Sequence, residues 1–243
     1  MKMLTFSKRC TKEILRDPIN LSFGLGFPIV LLVLMSAIQA NIPVDLFVIE
    51  SLAPGIAVFG LSFITLFSAT LIARDRESSF LQRLYTTPLR SIDFILGYML
   101  PLVPISVAQS VICYALAIVF GLDIDINIVL AILAIIPISV FYISLGLLFG
   151  SILNVKQVGG VCGGLLTNLS GWLAGIWFDI SLVGGIFEKI ANILPFLHAV
   201  EVERALINGH LGDAGVHLLV VMLYALGATI GAVILFLRQM KKQ

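Results

Sequence analysis

Residues 51–73 read SLAPGIAVFGLSFITLFSATLIA, and residues 74–90 continue RDRESSFLQRLYTTPLR. The first part holds no acid and no base, and as a helix it is long enough to cross the roughly 30 Å of bilayer hydrocarbon. The second part opens with four charges in succession, Arg74, Asp75, Arg76 and Glu77, which cannot follow it into lipid. The pair therefore reads as a membrane span that emerges into water at Arg74.

The same pattern recurs outward in both directions. Charge-free stretches run from Ile19 to Ile38, Phe94 to Phe120, Ile128 to Leu153, Val158 to Phe178 and Ala214 to Leu237, which with Ser51 to Ala73 makes six. Strand-type alternation is absent, and helices satisfy their own backbone hydrogen bonds in lipid. The expected fold is an all-α polytopic membrane protein with six transmembrane helices, forming one transmembrane domain over residues 1–243. Composition agrees, since 59% of the residues are hydrophobic and 12% charged, against about 45–50% and about 25% in soluble domains. If the N-terminus is cytoplasmic, thirteen of the fifteen basic residues lie on the inner side, and only Lys189 and Arg204 lie outside. The positive-inside rule then places both termini in the cytoplasm.

Two flanking segments have character of their own. In residues 1–18, Met3, Leu4, Phe6, Cys10, Ile14 and Leu15 gather on one side of a helix, and Lys8, Arg9, Lys12 and Arg16 on the other. An amphipathic helix in the inner interface is expected, broken at Asp17-Pro18. Residues 179–213 form an outer segment that is half apolar. Val183 to Leu194 and Phe196 to Ile207, separated by Pro195, read as two short re-entrant helices.

The inner segment 74–93 is the most informative. Ser79 and Gln82 have capping-box spacing, Phe80, Leu81, Leu84 and Tyr85 share a face, and Pro88 ends the turn. It is either a solvated loop that obeys topology or a docking element for another protein. No lysine sits in a GxxxxGK[ST] context, so the sequence offers no phosphate-binding loop. No span carries Asp, Glu, Lys or Arg, which argues against an ion relay. Glycines at GxxxG spacing (159/163, 160/164, 171/175, 227/231) suit close helix packing, within a subunit or between two. Phe59, Phe63 and Phe67 with Asn168 are candidates either for lining an apolar path or for ordinary packing. Cys10, Cys113 and Cys162 and the three histidines lack metal-ligand spacing, and no metal site or nucleic-acid surface is expected.

The run acid-Arg-Glu, a small pair, then Leu-x-x-Leu-x-x-x-Pro-Leu-Arg before Phe94-Ile95-Leu96-Gly97 resembles the type-2 permeases of ATP-binding-cassette exporters. So do Leu15-Arg16-Asp17-Pro18 and the run from Leu194-Pro195 through His198, Val200, Glu201, Arg204 and Gly209. Where that family often has Gly-Thr after the charged group, this chain has Ser78-Ser79. The resemblance implies a transport subunit, not an enzyme, in the plasma membrane of a prokaryotic cell. It would act as a homodimer, or a heterodimer with a related permease, driven by a separate cytoplasmic ATPase that binds the ATP and Mg. It also implies ATPase coupling through Asp75, Arg76, Glu77, Phe80, Leu81, Arg83, Leu84, Tyr85 and Pro88, and an outer gate containing Pro195, His198, Glu201 and Arg204. A partnerless secondary transporter or membrane assembly factor is the competing reading.

Overall fold

The computed structural model describes residues 2–78 and 91–240. Among the described residues 85% are helical and no strand occurs. Helix α1 (Lys2–Leu15) precedes α2 (Pro18–Gln39), which begins on the proline that was expected to break the chain. α3 (Ile49–Glu77) is followed by α4 (Ser91–Met99), α5 (Leu102–Val119) and α6 (Ile126–Ile152). α4 and α5 together form the third apolar stretch and part at Leu100-Pro101, because proline has no amide hydrogen to continue the ladder. Asp125 caps α6 by accepting the Ile126 amide.

Five of these helical stretches are long and apolar enough to cross a membrane: Leu21–Gln39, Ile49–Glu77, Ile92–Val119, Ile126–Ile152 and Leu211–Arg238. The remaining expected span folds differently. α7 (Val155–Val158) passes into a π-helical segment (Gly159–Leu166) and then α8 (Thr167–Leu173), so helix runs from 155 to 173 without a long regular piece. The segment Gly159-Gly160-Val161-Cys162-Gly163-Gly164 has few side chains to hold a regular α ladder, and wide turns of this kind concentrate at functional positions. The outer segment folds as α9 (Ile180–Val183), α10 (Gly185–Ile193) and α11 (Pro195–Ile207), with Pro195 at the start of α11, before α12 (Leu211–Met240).

α3 is the hub. In its apolar window 89% of residues are buried, against 17% in those of α2 and α12, which stand at the periphery. The α3–α6 contact is the closest in the bundle. A Cβ added at Gly146 would overlap Ser68 Oγ and the Thr65 carbonyl, and one at Gly150 would overlap Ile72 and the Ala69 backbone. With both backbones that near, Thr65 Oγ1 donates to Tyr142 O at 2.8 Å and Ser68 Oγ to Ile143 O at 3.0 Å. Of the other glycine pairs, Gly171 and Gly175 meet the side chains of Trp177, Phe59 and Ile180, Gly163 meets Leu66 and Gly231 meets Leu148, whereas Gly159, Gly160, Gly164 and Gly227 face open space.

Candidate functional site

The inner end of α3 is where four elements meet. The helix does not stop at Ala73. Nothing before Ser78 breaks it, so Arg74 to Glu77 form its last turn. Asp75 points inward and is 2% exposed. Arg9 of α1 donates to its two oxygens through Nη1 and Nη2, each at 2.5 Å, and Tyr98 Oη of α4 donates at 2.6 Å. Arg9 also pairs with Glu13 at 2.8 Å. Burial opposes the Arg9 charge, but hydrogen bonding and attraction from Asp75 outweigh it, so the guanidinium holds its proton more tightly than usual.

Apolar packing surrounds this ionic knot. Phe6 meets Tyr98 edge-on at 4.9 Å between ring centres and Phe94 at 5.7 Å. Cys10 and Ile14 lie beside Phe6 in the same buried cluster, and burial pushes the Cys10 thiol up to about 12. The apolar side of α1 that the sequence assigned to the membrane interface is therefore divided. Phe6, Cys10 and Ile14 are buried in protein, whereas Leu4 and Leu15 remain exposed.

The neighbouring charges hold other elements. Arg76 Nη1 donates to the Gly150 carbonyl of α6 at 3.0 Å, where the end of a helix leaves carbonyls in need of donors. Glu77 Oε1 accepts the Val155 amide at 2.9 Å, at the start of α7. Arg74 pairs with Asp17 at 3.1 Å. Of the expected coupling residues, Asp75, Arg76 and Glu77 thus brace the inner end of the bundle. Phe80, Leu81, Arg83, Leu84, Tyr85 and Pro88, with the Ser79–Gln82 capping pattern, lie outside the described residues. The chain leaves the knot just after Asp75 and comes back to it at Tyr98, so both flanks of 79–90 are tied to one cluster.

At the other end of the bundle, Arg204 of α11 donates to the Gly175 carbonyl at 2.9 Å and pairs with Glu201 at 2.9 Å, with a longer contact to Ser51 O at 3.4 Å. It ties the outer helix to the turn after α8 and to the start of α3. His198 and His217 face each other, Nδ1 to Nδ1, at 2.7 Å, and His198 Nε2 lies 2.9 Å from the Asn192 carbonyl. A carbonyl only accepts, so His198 carries its proton on Nε2 and His217 donates from Nδ1. Pro195, His198, Glu201 and Arg204 therefore do lie together on one helix that contacts the bundle.

Glu203 of α11, which the sequence reading did not single out, is fully buried. Tyr114 Oη of α5 donates to its Oε2 at 2.5 Å, and its Oε1 has no partner among the described residues. Burial pushes this carboxyl up to about 8. α11, which is not one of the five membrane-length helices, thus brings a buried acid against α5. The signal was present: Phe196, Ala199, Val200 and Glu203 follow i, i+3, i+4, i+7, so the acid sits on the buried stripe of α11.

The aromatic ladder packs against α2 and Trp177. Phe63 meets Phe27 of α2 at 5.4 Å, Phe59 meets Trp177 at 5.5 Å, and Phe67 abuts Gly24. All three are buried, while Asn168 is exposed and bonds only the Gly164 carbonyl of its own helix at 2.7 Å. The structure does not bring Asn168 to the three phenylalanines. Among the described residues no group of three or more His, Cys, Asp or Glu could hold a metal.

A family model described as ABC-2 type transporter matches residues 1–208. The chain belongs to that family. It is a multi-pass membrane permease component of an ABC transporter. No curated protein matches the chain. In this permease the matched region includes the inner knot and the whole of α11, so both clusters described above belong to the family domain.

Proposed function

We propose that this permease is the pathway-forming subunit of an exporter and works as a dimer, driven by two copies of a separate cytoplasmic ATPase that bind ATP and Mg. Segment 79–90 is the docking element, with Phe80, Leu81, Arg83, Leu84, Tyr85 and Pro88 meeting the ATPase. The Arg9–Asp75–Tyr98 knot is the observation that carries this reading. It joins α1, α3 and α4 into one unit on both flanks of the segment, so a push received there moves the central helix of the bundle.

The dimer contact is assigned to the π segment, where Gly159, Gly160 and Gly164 leave room for another helix backbone. The exposed Asn168 follows on the same helical run and is placed beside the pathway. On the outer side, the Arg204 contacts are the fastening that has to open for release. The test is co-purification of the tagged permease with its ATPase, with and without Arg83→Glu and Leu84→Glu. Loss of the ATPase with the permease still folded supports the docking site; undiminished co-purification contradicts it.

A second reading, ion-driven transport without an ATPase, is favoured by one observation, the buried carboxyl of Glu203. Transport that persists without ATP and stops when the proton gradient is dissipated would establish it in place of the first.

A further inference from the structure

The polar side of α1 carries a row of cations that the inner knot does not use. Lys8, Lys12 and Arg16 occupy successive turns, are exposed, and have no ion-pair or hydrogen-bond partner among the described residues. They line a groove of about 800 Å3 with Thr5, Arg9, Glu13, Asp17, Pro18 and Arg74. Two of its cations are already engaged, Arg9 with Asp75 and Glu13, and Arg74 with Asp17. Three positive charges are therefore left facing the groove.

The surroundings of the groove select the partner. One wall is Pro18, the first residue of α2, so the groove opens where the chain enters the membrane. Leu4 and Leu15, 50% and 62% exposed, lie on the same arc of α1 as Lys8. Below it, Ile14, Phe67 and Leu71 are buried and leave a crevice of only about 20 Å3 between α1, α2 and α3, so the groove is closed toward the bundle and open toward its surroundings. Cations above and half-exposed leucines beside, at the point where the chain turns into α2, match a phosphate headgroup whose acyl chains lie in the surrounding bilayer against Leu4 and Leu15. A soluble acidic protein surface would match the cations alone.

From this juxtaposition we propose that the α1 groove binds one anionic phospholipid of the inner leaflet, with its phosphate on Lys8, Lys12 and Arg16 and its acyl chains against the exposed faces of Leu4 and Leu15. The two ammonium groups act as point charges, and Arg16 can offer a forked pair of donors. The site rests on the cytoplasmic placement of α1 but not on the identity of any ATPase. Bound there, the lipid bridges α1 to the entry of α2 and steadies the helix that carries Arg9.

The experiment uses the full chain, extracted from vesicles of equal phosphatidylglycerol and phosphatidylcholine, with retained lipid counted by native mass spectrometry. Each cation near an anionic surface contributes roughly a fivefold preference. The triple variant Lys8→Gln, Lys12→Gln, Arg16→Gln is expected to lose about tenfold or more of the phosphatidylglycerol preference. The charge-conserving variant Lys8→Arg, Lys12→Arg, Arg16→Lys is expected to keep it, as is Arg238→Gln at the inner end of α12. Protection of Cys10 from alkylation verifies that α1 stays docked in each variant. An unchanged lipid preference in the triple variant overturns the proposal. So does a triple variant that keeps its lipid and instead loses the ATPase, which would make the row a protein-docking surface.

Discussion

Replacing Asp75 by Asn removes the charge at the centre of the inner knot while keeping its shape. In the native chain that carboxylate, 2% exposed, receives two bonds from Arg9 and one from Tyr98. Breaking one side of a fully buried ion pair costs about 3–5 kcal/mol. Arg9 is 35% exposed and keeps Glu13, so the expected loss is smaller, about 2–3 kcal/mol. The loss falls on the docking of α1, because Phe6, Cys10 and Ile14 remain as the only apolar anchors of that helix on the bundle named by the burial pattern. At 1.4 kcal/mol per factor of ten, the undocked population rises roughly 30- to 150-fold. Cys10 reports it directly, since its thiol is fully buried and pushed up to about 12 when docked. In a chain with Cys113 and Cys162 replaced by Ala, alkylation of Cys10 at constant pH should accelerate by that factor. A rate within twofold of the unsubstituted chain would refute the knot as the element that holds α1.

Three further outcomes are expected. Gly146→Ala forces a Cβ onto the Thr65 carbonyl and should lower the thermal stability of the detergent-solubilised chain by the equivalent of about 1–3 kcal/mol, whereas Gly26→Ala, which meets nothing, should not. Glu203 holds in the fold a proton that the unfolded chain releases from about pH 4.5. Stability from this group is therefore greatest at low pH, declines as pH rises toward about 8, and is level above that, a change of about 5 kcal/mol at 1.36 kcal/mol per unit. Melting curves of Glu203→Gln should lack that part of the pH slope, and identical slopes would contradict the assignment. Arg204→Ala should leave the inner knot intact and raise the accessibility of a cysteine placed at Ser51, measured by labelling from the outer side.

The sequence made the helical stretches plain because absence of charge over twenty residues has one physical meaning in a long apolar chain. α2 follows its expected stretch within a residue or so at each end, and Pro195 opens α11 where a break was expected. Contacts between distant residues were not legible. Asp75 read as part of a water-exposed charged run, and only the fold brings Arg9, sixty-six positions away, onto it. Gly146 and Gly150 share the spacing of several other glycine pairs, and what distinguishes them is the backbone of α3 lying opposite. Glu203 could have been found, since its place on the apolar stripe of α11 is written in the spacing of Phe196, Ala199 and Val200. The π segment was not foreseeable from hydropathy, which registers how apolar a stretch is but not how its turns are wound.

The separateness of the engine is tested most directly in proteoliposomes. With the permease alone, ATP should drive no transport; with the cognate ATPase added it should, and Arg83→Glu with Leu84→Glu should uncouple hydrolysis from transport. ATP-driven transport by the permease alone, or full coupling in the charge-reversed variant, would contradict the account.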